Sequence, residues 1–108
     1  MTPQRDYIRT LLEDLRQELR YQGLWSEQPP APADLESSEP FCVDTLRLEQ
    51  WLQFILIARL EAVLDRRAPL PERCDILPYA EEQLRSLEGS EALLRIIGKL
   101  DIMVTRAV

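Results

Sequence analysis

Residues 40–60, PFCVDTLRLEQWLQFILIARL, decide the fold of this chain. At about 100° per residue, the apolar side chains of the second half cover nearly the whole circumference of a helix. These side chains are Trp51, Leu52, Phe54, Ile55, Leu56, Ile57 and Leu60. A helix that is apolar all round is buried, and Gln53, Arg59 and the flanking acids leave this run well short of the roughly 18 uncharged residues of a membrane span. The stretch therefore predicts the central helix of a small bundle.

The start of this central helix is predicted at Asp44. Aspartate is one of the preferred N-cap residues, because its carboxylate accepts hydrogen bonds from the first backbone amides of a helix. Val43 and Leu48 would then stand at the two positions of a hydrophobic staple.

Three more helices are predicted around it. Helix 1 begins at Thr2 and Pro3 and continues to Gly23, helix 3 lies within YAEEQLRSLE at residues 79–88, and helix 4 follows Ser90. Between helices 1 and 2, residues 26–43 are rich in proline and acid and show no periodicity, which is typical of a long loop. The predicted fold is an all-α, small four-helix bundle with a long Pro-rich loop between helices 1 and 2, forming a single domain over residues 1–108.

Composition limits the classes of function. The net charge of -6 argues against tight nucleic-acid binding, which depends on basic surface. The first ten residues lack the apolar core of a signal peptide, so we expect a cytoplasmic protein. Cys42 and Cys74 form no CxxC pair and are expected to be free thiols, although one disulfide between them stays open.

Catalysis is not expected. The chain has no histidine, which is the commonest general base and the usual partner of a nucleophilic serine or cysteine. Its three glycines are too scattered to form a phosphate-binding loop. We therefore predict no catalytic residues, no cofactor and no metal ligands.

Helix 1 supplies candidate residues for binding a partner. Four arginines lie within roughly 60° of one another on the helical wheel, beside the apolar stripe. They are Arg5, Arg9, Arg16 and Arg20. Such a row can select a protein partner by its charge, or it can be satisfied inside the chain by Glu13 and other acids. We call these four residues the arginine row.

Gln53 and Arg59 are two further candidates, because both interrupt the apolar run of the central helix. A buried amide or guanidinium without partners costs several kcal/mol, so each must find a partner or reach an edge of the bundle. Glu49 is one possible partner of Gln53. If both side chains instead reach an opening, they form polar contacts within an apolar groove, as at many protein interfaces.

Four blocks of sequence carry a family resemblance: PF..DTL...QWLQF at residues 40–54, RLE..L at 59–64, PLP....ILPYAEE at 69–82 and LL..I..LD at 93–101. In these blocks the chain resembles the YqcC-like family, small bacterial proteins of uncharacterised function. The resemblance implies a small helical bundle and brings no functional residues with it. It also implies a neighbourhood, because such proteins are similar to ones encoded beside, or joined to, a tRNA pseudouridine synthase of the C type.

These observations favour a non-catalytic accessory or protein-interaction module. The expected partner is a protein, either a second copy in a homodimer or a tRNA pseudouridine synthase, and no membrane is expected to take part. The alternative is an RNA-contacting accessory protein in tRNA modification that uses the helix 1 arginines. The two readings differ in whether the arginine row forms an exposed basic face.

Overall fold

The structure is a computed structural model, and it describes residues 3–71 and 74–106. Within these residues it contains helices and turns but no strands. Helix α1 spans Pro3–Tyr21, α3 spans Leu77–Gln83 and α4 spans Glu91–Arg106. Helix α2 covers residues 48–65 in three consecutive segments: Leu48–Trp51, Leu52–Ile57 and Ala58–Asp65. The predicted small all-α bundle is therefore confirmed.

Packing follows the apolar stripes. Helix α1 lies against α4 and against the last segment of α2, and α3 packs on α4. One main core forms between the helices, and every apolar stripe contributes to it. Its largest fully buried side chains are Ile8, Leu11, Leu12, Leu15, Leu19, Leu48, Leu52, Leu64, Ile76, Leu93, Ile97 and Leu100. In the described part of the chain, no helix is long and apolar enough to cross a membrane.

Helix α1 ends where the sequence predicts. Gly23 adopts a φ of 74°, the left-handed conformation that glycine accepts without strain. Its N–H donates to the carbonyl of Arg20, and the N–H of Leu24 donates to the carbonyl of Leu19. These two bonds form a Schellman motif, which satisfies carbonyls at the end of the helix. The proposed cap at Thr2 lies outside the described residues.

Helix α2 ends in the same motif without a glycine. The N–H of Arg67 donates to the carbonyl of Leu64, and the N–H of Ala68 donates to that of Val63. Arg67 therefore takes the left-handed position, with a φ of 53°. A non-glycine residue is strained there by roughly 1–2 kcal/mol.

The predicted start of α2 at Asp44 is wrong. The helix begins at Leu48, and the backbone N–H of Arg47 donates to Gln50 Oε1 at 2.9 Å. Asp44 instead accepts a hydrogen bond from the hydroxyl of Ser37. The Asp44 carboxylate is thus bound by a residue of the loop and does not cap the helix. The staple predicted from Val43 does not form either, because Val43 is exposed.

The middle segment of α2, Leu52–Ile57, is a π-helix. A π-helical turn holds one more residue than an α-helical turn, and such turns occur frequently at functional sites. All but one of its side chains are buried, and the exception, Phe54, is half-buried. The predicted burial of the central run is therefore confirmed for this segment.

The Pro-rich loop is more ordered than its sequence suggests. It contains two short 3-10 turns, Pro32–Glu36 and Pro40–Cys42. The Thr45 hydroxyl donates to the carbonyl of Asp34 at 2.6 Å, which ties the first turn to the chain before α2. Phe41 and Cys42 both have a positive φ, 57° and 50°.

Helix α3 begins two residues earlier than predicted and ends earlier. Asp101 of α4 accepts hydrogen bonds from the backbone amides of Ile76 and Leu77, so the first turn of α3 is capped by another helix. Pro78 follows, where the missing N–H of proline leaves no helical bond unmade. Helix α4 begins directly after Ser90, as the sequence predicts.

Candidate partner-binding site

The arginine row is satisfied mainly within the molecule. Arg16 Nη2 donates to Glu61 Oε2 of α2 at 2.9 Å, and Arg16 Nη1 donates to Glu13 within α1. The bond to Glu61 raises the pKa of Arg16. Hydrogen bonds from Gln17 and Arg16 lower the pKa of Glu13. Arg16 therefore joins α1 to α2.

The other three arginines also have partners. Arg9 pairs with Asp65 of α2 at 3.1 Å, and Arg5 Nη2 donates to the carbonyl of Ala68 at 2.7 Å. The guanidinium of Arg20 lies 4.8 Å from the centre of the Trp25 ring, a distance at which a cation and an aromatic face attract each other.

The groove beside this row is not a basic face. The described residues of its lining are one arginine, one threonine and three acids: Asp6, Arg9, Thr10, Glu13 and Glu61. Carboxylates at these positions repel a phosphate backbone. The geometry therefore favours the intramolecular reading of the arginine row over the RNA-binding one.

Gln53 is buried, with 8% of its surface exposed. Its side-chain amide exchanges two hydrogen bonds with the backbone of Ser26: Nε2 donates to the carbonyl at 2.7 Å, and Oε1 accepts from the N–H at 2.9 Å. The partner is thus the beginning of the long loop and not Glu49. This pair fixes the loop to the π-helical segment, so Gln53 has a structural role in the fold.

Arg59 is placed differently from the other candidates. It lies on the last segment of α2 and is exposed, and its guanidinium makes no hydrogen bond or ion pair with any residue that the structure describes. It lines an apolar cavity of about 250 Å³ between α2, the 3-10 turn at Phe41 and the chain before α3. The described residues that line it are Phe41, Trp51, Leu56, Arg59, Leu60, Pro71, Cys74, Asp75 and Ile76. We call this feature the Arg59 cavity.

Two aromatic rings, Phe41 and Trp51, line the Arg59 cavity, and a third, Tyr79, packs on Phe41. Phe41 lies edge-on to Trp51, with ring centroids 5.0 Å apart, and stacks on Tyr79 at 4.6 Å. Both arrangements are favourable for aromatic pairs. Phe41 and Tyr79 were not candidates by sequence, although they belong to the PF and PYAEE blocks. The three rings come from three separate segments, so helical periodicity cannot bring them together.

Backbone irregularities surround the same cavity. The π-helical segment supplies Leu56 to its lining, with Trp51 directly before the segment and Arg59 shortly after it. The positive φ of Phe41 turns its ring toward Trp51 and Tyr79. Unusual backbone geometry persists only where the surrounding structure supports it, and it concentrates at ligand-binding sites.

Two titratable groups beside the cavity are held neutral. Burial raises the pKa of the Cys74 thiol, and the negative charge of Asp101 raises it further. Burial also raises the pKa of Tyr79. Cys42 and Cys74 are both free. Among the residues that the structure describes, no group of three or more carboxylates and thiols is arranged to hold a metal ion.

Sequence comparisons relate the chain to a bacterial family. A family model, DUF446, with the description tRNA pseudouridine synthase C, matches residues 7–103. An uncharacterized protein of Haemophilus influenzae is 36% identical over 90 residues, which cover 83% of this chain and 85% of that protein. The uncharacterized protein YqcC of Escherichia coli is 35% identical over 99 residues, 91% of each chain.

Two further comparisons concern the fold and a longer protein. The solution NMR structure of YqcC from E. coli has a TM-score of 0.84 and 32% identity, and the match covers 99% of this chain and 92% of that one. A protein of Pectobacterium carotovorum, called tRNA pseudouridine synthase C, is 38% identical over 64 residues. That segment covers 59% of this chain and only 17% of the longer protein.

Proposed function

Because this chain belongs to the YqcC-like family, the family of the DUF446 model, we propose that it is a non-catalytic accessory module that binds a protein partner. The observation that carries the proposal is the Arg59 cavity, where a guanidinium that pairs with none of the described residues lies beside an apolar, aromatic surface. Arginine and aromatic residues are enriched among the few residues that dominate the binding energy of protein interfaces.

The proposed partner is a tRNA pseudouridine synthase. A segment similar to this chain forms part of the longer P. carotovorum protein of that name. Two proteins that act together are sometimes joined in one chain, so the match supports an association between separate chains here. The proposal assigns the uridine chemistry to the synthase and only binding to this chain. A second copy of the chain is the competing partner.

The proposal includes a cytoplasmic location. Its support is the pair of free thiols at Cys42 and Cys74, since free cysteines are typical of reducing compartments.

Binding to the purified synthase of the same bacterium tests the proposal. We expect a complex by isothermal titration calorimetry, and we expect Arg59→Glu to weaken it at least about tenfold, as for a central interface residue. Arg95→Glu is the matched control, because Arg95 is an exposed arginine on α4 away from the cavity. Equal melting temperatures of the variants would show that the fold is retained.

Three results would contradict the proposal. One is a complex that Arg59→Glu leaves unchanged. Another is self-association in sedimentation experiments that excludes the synthase. The third is binding of transfer RNA tighter than about 1 μM at physiological salt, beyond the non-specific range, that disappears in Arg9→Glu/Arg16→Glu.

A further inference from the structure

We infer that the Arg59 cavity binds the C-terminal residue of its partner, with an apolar side chain in the cavity and the terminal carboxylate on Arg59. The inference rests on the proposed function and adds the chemistry of the contact. The size of the cavity, the charge of Arg59 and the apolar character of the lining support it in turn.

Size limits the occupant to one residue. The cavity volume of about 250 Å³ is below the roughly 300 Å³ at which pockets for drug-sized ligands begin. It can hold one large apolar side chain and little more. A cofactor or an extended peptide therefore does not fit inside it.

The positive charge of Arg59 then determines which chemical group of the partner lies beside that side chain. Among the described residues of the lining, Arg59 is the arginine, and it has no partner in the described part of the chain. A guanidinium presents parallel N–H donors that match the two oxygens of a carboxylate. The acid in the same lining, Asp75, repels an anion, so we expect the bound carboxylate on the Arg59 side of the cavity.

A C-terminal residue meets both requirements at once. Its side chain and its carboxylate are attached to the same Cα, so a one-residue cavity with a cation at its edge can bind both. An internal acidic residue would need the chain to continue past the rim on both sides. Capture of a terminal carboxylate is also a recurring mode of peptide recognition.

The aromatic lining explains why the side chain is apolar. Phe41, Trp51 and Leu56 present rings and methyl groups to the cavity. Burying apolar area against them is favourable in proportion to that area. A polar side chain in the same place would lose its hydration without gaining a partner.

Three short peptides test the inference on the intact protein. The first is acetyl-Gly-Gly-Leu with a free carboxylate, the second is the same peptide with a C-terminal amide, and the third carries an internal Leu-Glu and ends in an amide. The indole N–H signal of Trp51 in the NMR spectrum reports occupancy, with Trp51→Phe to assign it and Trp25 as the reference signal.

We expect the free-carboxylate peptide to shift the Trp51 signal saturably and to bind at least about fivefold more tightly than either amide, as a charge-assisted contact implies. Arg59→Gln should abolish this preference, and Arg95→Gln should preserve it. Both variants remove one exposed arginine, so melting temperatures should match.

Each contrary result overturns a defined part of the inference. Equal binding of the free and amidated peptides would exclude recognition of a carboxylate. Equal binding of the internal Leu-Glu peptide would exclude the C-terminus as its source. Peptide binding that leaves Trp51 unshifted, or no binding at all, would exclude the cavity as the place for a C-terminal residue. The synthase titration with Arg59→Glu decides separately whether the proposed function fails.

Discussion

Asp101 caps a helix to which it does not belong. Its Oδ2 accepts a hydrogen bond from the backbone N–H of Leu77 at 2.7 Å, and its Oδ1 accepts one from Ile76 at 3.0 Å. Helix α4 thus supplies the N-terminal cap of α3, and a charged acceptor at that end also interacts favourably with the helix dipole. Asp101, which ends the LL..I..LD block, and residues 76–78 (ILP) of the preceding block therefore form one structural unit.

The first prediction concerns this cap. Asp101→Ala should lower the free energy of unfolding by about 1–2 kcal/mol, because the amides of Ile76 and Leu77 lose their acceptor. Urea denaturation measures the loss. Asp14→Ala is the control, since Asp14 is an exposed aspartate that makes no hydrogen bond or ion pair with any described residue. Equal midpoints for the two variants would contradict the cap.

A second prediction compares the two Schellman motifs. Arg67→Gly should stabilise the protein by about 0.5–1 kcal/mol, because glycine relieves the strain at a φ of 53°. Gly23→Ala should destabilise it by about 1 kcal/mol, because alanine introduces the same strain at a φ of 74°. Thermal unfolding of both variants measures the signs, and a loss of stability in Arg67→Gly would disprove the strain.

The third prediction concerns the thiol of Cys74. Burial and then the charge of Asp101 raise its pKa, so the thiolate that reacts with iodoacetamide is scarce in the native state. At pH 8 we expect Cys74 to be alkylated much more slowly in the native protein than in urea. Mass spectrometry of time points measures the rate. Asp101→Asn should speed the reaction, since it removes a negative charge that disfavours the thiolate.

The raised pKa of Cys74 also determines whether the free energy of unfolding rises or falls with pH. In the unfolded chain Cys74 loses its proton near its ordinary pKa of about 8.5, while the native thiol keeps it. The contribution of Cys74 to the free energy of unfolding is therefore fully present below that pH and decreases as the pH rises above it. Cys74→Ser should reduce the decline between pH 8 and pH 10. An unchanged decline would exclude Cys74 as its source.

A fourth prediction concerns the bridge between α1 and α2. Arg16→Glu should lower the free energy of unfolding by about 1–2 kcal/mol at low salt, because it places a third carboxylate beside Glu13 and Glu61. The loss should shrink in 1 M salt, where charges are screened. Arg95→Glu, on the exposed side of α4, is the control. A loss independent of salt would mean that packing, not charge, is responsible.

The bundle was predictable because its signals are local. The stripe of Ile8, Leu11, Leu15 and Leu19 repeats at helical spacing and is buried as expected. Glycine at position 23 marked the end of α1 by its conformational freedom. These features depend on residues within one or two turns of each other, so a sequence is sufficient to find them.

The start of α2 and the Arg59 cavity depend on contacts distant in sequence. Asp44 has the chemistry of a cap, but Ser37 holds it elsewhere. Gln53 could satisfy its amide with nearby Glu49, yet its partner is the backbone of Ser26. The cavity needs Phe41, Trp51 and Arg59 together, and no periodic pattern links a loop residue to two positions of a helix.

The π-helical segment Leu52–Ile57 changes the direction in which the side chains of the last part of α2 point, relative to those of its first part. One extra residue turns everything after it by about 100° relative to a regular α-helix. Leu48 and Leu52 can therefore pack in the core together with Leu60 and Leu64, while Arg59 stays outside. Deleting a single residue from the segment would restore the regular period and rotate Leu60 and Leu64 off the core face. The fold therefore depends on the number of residues in this segment as well as on their burial.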